Sequence, residues 1–173
     1  MTPAPEGGKA GRLERLIFSA SRAWAVLGGL VLMAVVMMTV ASVLMRAILG
    51  APILGDYELV EMGSAIAAFS FLPYCQQTRG HVAVDIFTQR APAHLNAALA
   101  AVGSLLLLVI ALVLFWRMIW GGYDFHQYHE RTTNLGIPRW WAFPPILISL
   151  ALLALVSLAT FAREAREALA GRA

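Results

Sequence analysis

Four apolar runs, each about as long as a bilayer is thick, constrain this chain more than any other feature: residues 23–45, 57–77, 95–117 and 141–162. A helix rises ~1.5 Å per residue, so ~20 apolar residues match the ~30 Å hydrocarbon core. Inside lipid every backbone N–H and C=O needs a partner within the protein, and a helix supplies one along its own length. The expected fold class is therefore all-α, an integral membrane protein with four transmembrane helices. Composition agrees, since 60% hydrophobic and 13% charged residues over 173 positions are too apolar for an ordinary soluble domain. The runs divide the chain into a basic tail (1–22), a four-helix membrane domain (23–162) and a charged tail (163–173).

The first run exceeds the apolar region of a cleavable signal peptide and is expected to stay as a signal anchor. Ahead of it, Leu13, Leu16, Ile17 and Ala20 share one face of a short surface helix over 11–22. The second run has the most distinctive chemistry. Asp56, Glu58 and Glu61 lie in its first turns, where the helix dipole favours negative charge. Glu61 sits roughly 7 Å inside by helical rise. A carboxylate at that depth faces protein or water, either in a direct functional role or in a hydrogen bond across a helix interface. Glu61, Ser64, Ala65 and Ala68 recur at helical spacing and form a small-residue stripe that lets another helix approach closely. The single cysteine, Cys75, excludes an intrachain disulfide and is expected to be a small buried apolar side chain.

Pro73 loosens or ends this helix near 73–77, and the chain then runs into TRGHVAVDIF. Val82, Ile86 and Phe87 around Asp85 suit a short interfacial helix between the second and third spans. Arg79, His81 and Asp85 form an ordered polar cluster there, with the expected task of holding the helix end at the interface or fixing register against a partner. The core of the third run, GSLLLLVIALVLFW, carries no charge, and Arg117, Trp120 and Tyr123 mark its far interface. His126 and His129 lie three apart in the connection 121–139, a spacing that shares a helix face, but no further His or Cys lies on that side, so no metal site is expected. Trp140 and Trp141 open the fourth run.

Counting Lys and Arg gives the orientation. With both termini and the 78–94 loop cytoplasmic, that side holds nine (Lys9, Arg12, Arg15, Arg22, Arg79, Arg90, Arg163, Arg166, Arg172) against four outside (Arg46, Arg117, Arg131, Arg139). The positive-inside rule selects this arrangement. The +3 formal charge follows from the same tails, and no basic stripe with interleaved aromatics points to nucleic acid. An enzyme is not expected, because no nucleophile and base are placed to share a site. A b-type cytochrome needs paired histidines at one membrane depth, whereas His81 and His94 lie at one surface and His126 and His129 at the other.

The segment Arg79-Gly80-His81-Val82-Ala83-Val84-Asp85 resembles the Arg-x-His-hydrophobic-x-Val-Asp signature of the small membrane subunit of TRAP (tripartite ATP-independent periplasmic) transporters, the DctQ-like proteins. Three further features are similar in order: an acidic start to the second helix (Glu58, Glu61), a glycine pair ending the third (Gly121, Gly122), and Gly136-Ile137-Pro138 with Trp140 before the fourth. The resemblance spans roughly residues 20–162 and leaves the tails unmatched. It implies a small permease subunit in the bacterial inner membrane that binds a large permease subunit and helps a periplasmic binding protein to dock. It also implies ion-gradient-driven uptake of a carboxylate, with the coupling Na⁺ on the large subunit and no cofactor on this chain.

The residues themselves fit an accessory role. Anionic substrates need fixed positive groups or broken-helix ends near the bilayer middle, and the four runs hold no midplane Arg, Lys or His. The expected surfaces are the small face of the second helix toward a partner helix, the 46–56 and 121–139 loops toward the binding protein, and lipid elsewhere. A rival reading is an autonomous proton-coupled exporter, a homo-oligomer with Glu61 as the coupling carboxylate. That reading leaves the Arg79–Asp85 cluster without a task.

Overall fold

A computed structural model describes residues 9–78 and 93–170. Its elements in chain order are α1 (Lys9–Leu49), α2 (Asp56–Gln77), α3 (Ala93–Gln127), a short 3-10 turn (Arg139–Ala142) and α4 (Phe143–Ala170). Among the described residues the only extended pairing is an isolated antiparallel bridge between Arg131 and Pro138. The all-helical expectation therefore holds.

α1 is one helix of 41 residues. The surface helix expected over 11–22 and the first span are continuous, because no proline separates Gly11 from Leu49. At ~1.5 Å per residue this rod is about 60 Å long, nearly twice the bilayer core. Among the described residues, three helical stretches are long and apolar enough to cross a membrane: Arg15–Leu49, Leu99–Gln127 and Arg139–Arg166. α2, with 22 residues, has the length of a span at about 33 Å. It is not among the three, and its sequence gives the reason: Asp56, Glu58, Glu61, Ser64, Ser70, Gln76 and Gln77 dilute its apolar content.

The helices pack in the order α1, α2, α4, α3, so α2 and α4 are flanked on both sides. α4 supplies the centre, with Leu150 and Val156 fully buried and Ile146 and Leu153 nearly so. Met62, Ile66 and Phe69 of α2 and Leu107, Phe115 and Met118 of α3 pack against this core. Burying such side chains contributes ~1.5–3 kcal/mol each in water. In lipid, close packing and hydrogen bonds between helices carry more of the association. Trp24 Nε1 of α1 donates to Ser149 Oγ of α4 at 2.8 Å, a polar tie between the first and last helices.

α1 and α2 approach closely because glycine faces them. A Cβ built on Gly28 would lie 2.5 Å from Ser70 Cβ, and one on Gly63 would lie 2.4 Å from Val35 Cγ2. α2 ends at Gln77, within the 73–77 segment expected from Pro73, and runs through the proline itself. Its ring is fully buried, so packing holds the helix together where a backbone bond is missing.

Candidate functional site

Two ends of the bundle carry organised polar chemistry, and the one where α2 begins is the richer. Gly55 precedes α2 with φ +79, and Leu135 lies against it so closely that a Cβ would meet Leu135 Cγ at 2.4 Å. Ser42 of α1 is buried and donates to Asp56 Oδ2 at 2.6 Å, while Ile53 N donates to Ser42 Oγ at 3.2 Å. One hydroxyl thus pins the α1–α2 connection and the first acid of α2 together.

Glu58 is 8% exposed, and its two oxygens accept the backbone N–H groups of Asn134 (2.7 Å) and Leu135 (3.0 Å). Sequence alone placed it at a helix N-terminus for dipole reasons. The fold gives it a different task, as the anchor of a loop 76 and 77 residues further along the chain. That loop is itself built on Thr132, which is buried, donates its N–H to Ile137 O (2.9 Å) and accepts from Gly136 N (3.1 Å) and, at Oγ1, from Ile137 N (3.0 Å). Pro138 closes the bridge with Arg131 and caps the 3-10 turn. Trp140 stands edge-on to His126, with ring centroids 5.2 Å apart. Among the described residues no three His, Cys, Asp or Glu side chains are grouped to hold a metal ion.

The glycine pair Gly121-Gly122 does not end the third helix, as the sequence led us to expect. α3 continues to Gln127, and both glycines lie within it. Their role is steric: a Cβ on Gly121 would come within 3.3 Å of the Phe143 ring and one on Gly122 within 3.1 Å of two ring carbons. The ring at the start of α4 rests where side chains are missing on α3, with Phe125 beside it at a centroid separation of 5.3 Å.

The faces of α2 correct another expectation. The small residues buried in close approach are Gly63, Ala67 and Ser70, whereas Glu61, Ser64 and Ala68 are exposed and only Ala65 of the expected stripe joins the core. Tyr57, Glu61, Ser64, Ala68 and Cys75 line up at helical spacing as one uncovered face. Cys75 is therefore exposed rather than buried. Glu61 makes no side-chain hydrogen bond or ion pair among the described residues, so the interface bond expected of it is not made there.

At the opposite end lies a cluster that the sequence did not disclose. Ser104 Oγ of α3 donates to Glu164 Oε2 of α4 at 2.6 Å, and Gln76 Nε2 of α2 donates to Ser104 Oγ at 3.3 Å. All three residues are buried, at 5%, 3% and 5% exposure in the order Ser104, Glu164, Gln76. Glu164 reads as part of a solvated tail, yet it continues the buried α4 face of Leu153, Val156, Ser157 and Thr160 by one further turn. That periodicity was the available signal. Arg79, His81 and Asp85, and with them the interfacial helix expected over this segment, lie outside the described residues.

Among the described residues, the organised groups at these two ends are hydrogen-bond donors, acceptors and packing surfaces. No curated protein and no solved structure shows significant similarity to the chain. Residues 32–167 match the family described as tripartite ATP-independent periplasmic transporters, DctQ component. Because that match covers most of the chain and agrees with its apolar helices, the protein belongs to the DctQ family of TRAP transporter membrane components.

Proposed function

We propose that this chain is the small permease subunit that braces the large permease subunit in the bacterial inner membrane and helps a periplasmic binding protein to dock, for ion-gradient-driven carboxylate uptake. In this reading all four helices span the bilayer with both termini cytoplasmic, and the Glu58-anchored loop is periplasmic. The observation that carries it is the uncovered face of α2. Tyr57, Glu61, Ser64, Ala68 and Cys75 present small and polar groups on a helix flanked by α1 and α4, which are apolar toward their surroundings. Acyl chains are poor neighbours for that face, whereas a helix from a partner can approach it closely. Na⁺ and substrate sites belong to the large subunit in this scheme. Family membership gives the autonomous-exporter alternative no support.

The decisive experiment is affinity purification of the tagged chain from its native membrane in mild detergent, with mass spectrometry of its companions. One large multispanning permease at stoichiometric amount is the expected result. Recovery of this chain alone from several detergents, or full transport by the large subunit without it, overturns the proposal. Cysteine placed at Ser64 or Ala68 should cross-link to the large subunit, and cysteine at the lipid-facing Val109 should not. Arg79, His81 and Asp85 are assigned to the cytoplasmic contact, so Asp85→Ala should weaken assembly and leave substrate binding by the separate binding protein unchanged.

A further inference from the structure

A small cleft of about 180 Å³ opens where α2, α3 and the start of α4 converge, and its lining combines opposite charges that are not paired with each other. Glu61, Arg139 and Thr132 belong to its lining, together with the apolar Met62, Phe125 and Phe143. Among the described residues neither Glu61 nor Arg139 takes part in an ion pair or a side-chain hydrogen bond. Their backbones are nonetheless held in place. Arg139 N donates to Glu130 O at 3.1 Å beside the Arg131–Pro138 bridge, and the cleft-lining Phe143 is seated on the Gly121-Gly122 pair.

We propose that this cleft binds the head group of a zwitterionic phospholipid with a primary amine, phosphatidylethanolamine, from the outer leaflet. Arg139 takes the phosphate, for which a guanidinium is the best-matched side chain. Glu61 accepts N–H bonds from the ammonium, and the Phe125 and Phe143 rings add their faces to the cation's surroundings. A choline head group has no N–H to donate, and a glycerol head group brings no cation to Glu61, so the same two charges discriminate among lipids. The volume is below the ~300 Å³ at which pockets begin to hold drug-sized solutes, which suits a head group whose acyl chains remain outside. The level also suits a lipid. Trp140 and Trp141 follow Arg139 directly, Trp141 is 57% exposed, and tryptophans of this kind mark the interfacial zone. The depth and leaflet rest on the membrane orientation proposed above.

The test is native mass spectrometry of the chain purified with its membrane companions and exchanged into nanodiscs of equal parts phosphatidylethanolamine, phosphatidylcholine and phosphatidylglycerol. The expected result is selective retention of phosphatidylethanolamine, reduced about tenfold in Glu61→Gln and again in Arg139→Gln, the scale of one lost hydrogen bond to a charged group. Tyr74→Phe, on the same helix but outside the cleft, should retain lipid as the unaltered chain does and shows that a change on α2 is not itself disruptive. Equal retention of the three lipids, or retention unchanged in both charge variants, overturns the proposal. So does a cysteine at Ala65 that cross-links to the large subunit while the complex holds no lipid, because protein then fills the cleft. Failure of the subunit assignment is read separately, as absence of a permease companion with lipid selectivity intact.

Discussion

Glu58 Oε2 and the backbone N–H of Leu135 meet at 3.0 Å across 77 residues of sequence, joining the first turn of α2 to the loop that leads into α4. The second oxygen holds Asn134, so one carboxylate satisfies two adjacent amides that lack a partner of their own. The loop gains a fixed shape without a strand or a disulfide. In the orientation proposed above, this is the surface that a soluble partner would meet.

Glu58→Ala removes both acceptors and leaves two part-buried N–H groups unpaired, a situation whose cost exceeds the gain from making the bonds. The 128–138 loop should open, and trypsin should cut after Arg131 faster than in the unaltered chain. Glu58→Gln keeps one carbonyl acceptor and should fall between the two. Equal cleavage rates for all three chains would show that the loop holds its shape without Glu58.

Gly122 and Phe143 give a prediction whose sign depends on two competing effects. Glycine inside a helix costs ~1 kcal/mol relative to alanine, so Gly122→Ala should stabilise α3 if only the backbone mattered. The added methyl would meet three Phe143 carbons at 3.1–3.2 Å, and overpacking costs typically ~1–3 kcal/mol. We expect the second effect to win, with a lower thermal midpoint in detergent. In a Phe143→Leu background the ring is gone, and Gly122→Ala should then raise the midpoint. A rise in both backgrounds would refute the packing role of the glycine pair.

Gly28 and Ser70 make one of the close α1–α2 approaches. Gly28→Ala puts a Cβ 2.5 Å from Ser70 Cβ, a distance no rotamer change relieves, so the helices must separate. A loss of ~1–3 kcal/mol is expected in a reversible unfolding titration. The double variant Gly28→Ala, Ser70→Gly exchanges the two sizes and should recover most of it. Absence of recovery would mean that the damage lies in α1 itself.

The helices were legible in the sequence because apolar length in a membrane protein leaves few alternatives, and Glu58, Gly121, Gly122, Pro138 and Trp140 were legible as markers. What they do was not. Glycine signals a break or a close approach with the same letter, and only the position of Phe143 in space shows that Gly121-Gly122 is the latter. The small-residue stripe expected from the sequence lies one step round α2 from the face that is buried, since Gly63, Ala67 and Ser70 recur every three or four residues just as Glu61, Ser64 and Ala68 do. Glu58 could not be matched to Asn134 and Leu135, because its partners are main-chain groups and carry no sequence signature.

The buried triad at the other end of the bundle yields the last prediction. Ser104 is the shared member: its hydroxyl donates to Glu164 and accepts from Gln76, tying α2, α3 and α4 at one level. Ser104→Ala removes both bonds and leaves a buried carboxylate with one donor fewer. A hydrogen bond to a charged group contributes ~1.5–3 kcal/mol, so the variant should unfold at clearly lower denaturant. Glu164→Gln keeps an acceptor toward Ser104 and should cost less. Adding Glu164→Gln to Ser104→Ala should then cost little more, because the interaction between the two residues is already lost. Strictly additive losses would show that Ser104 and Glu164 stabilise the bundle independently, and the 2.6 Å contact would not be their main contribution.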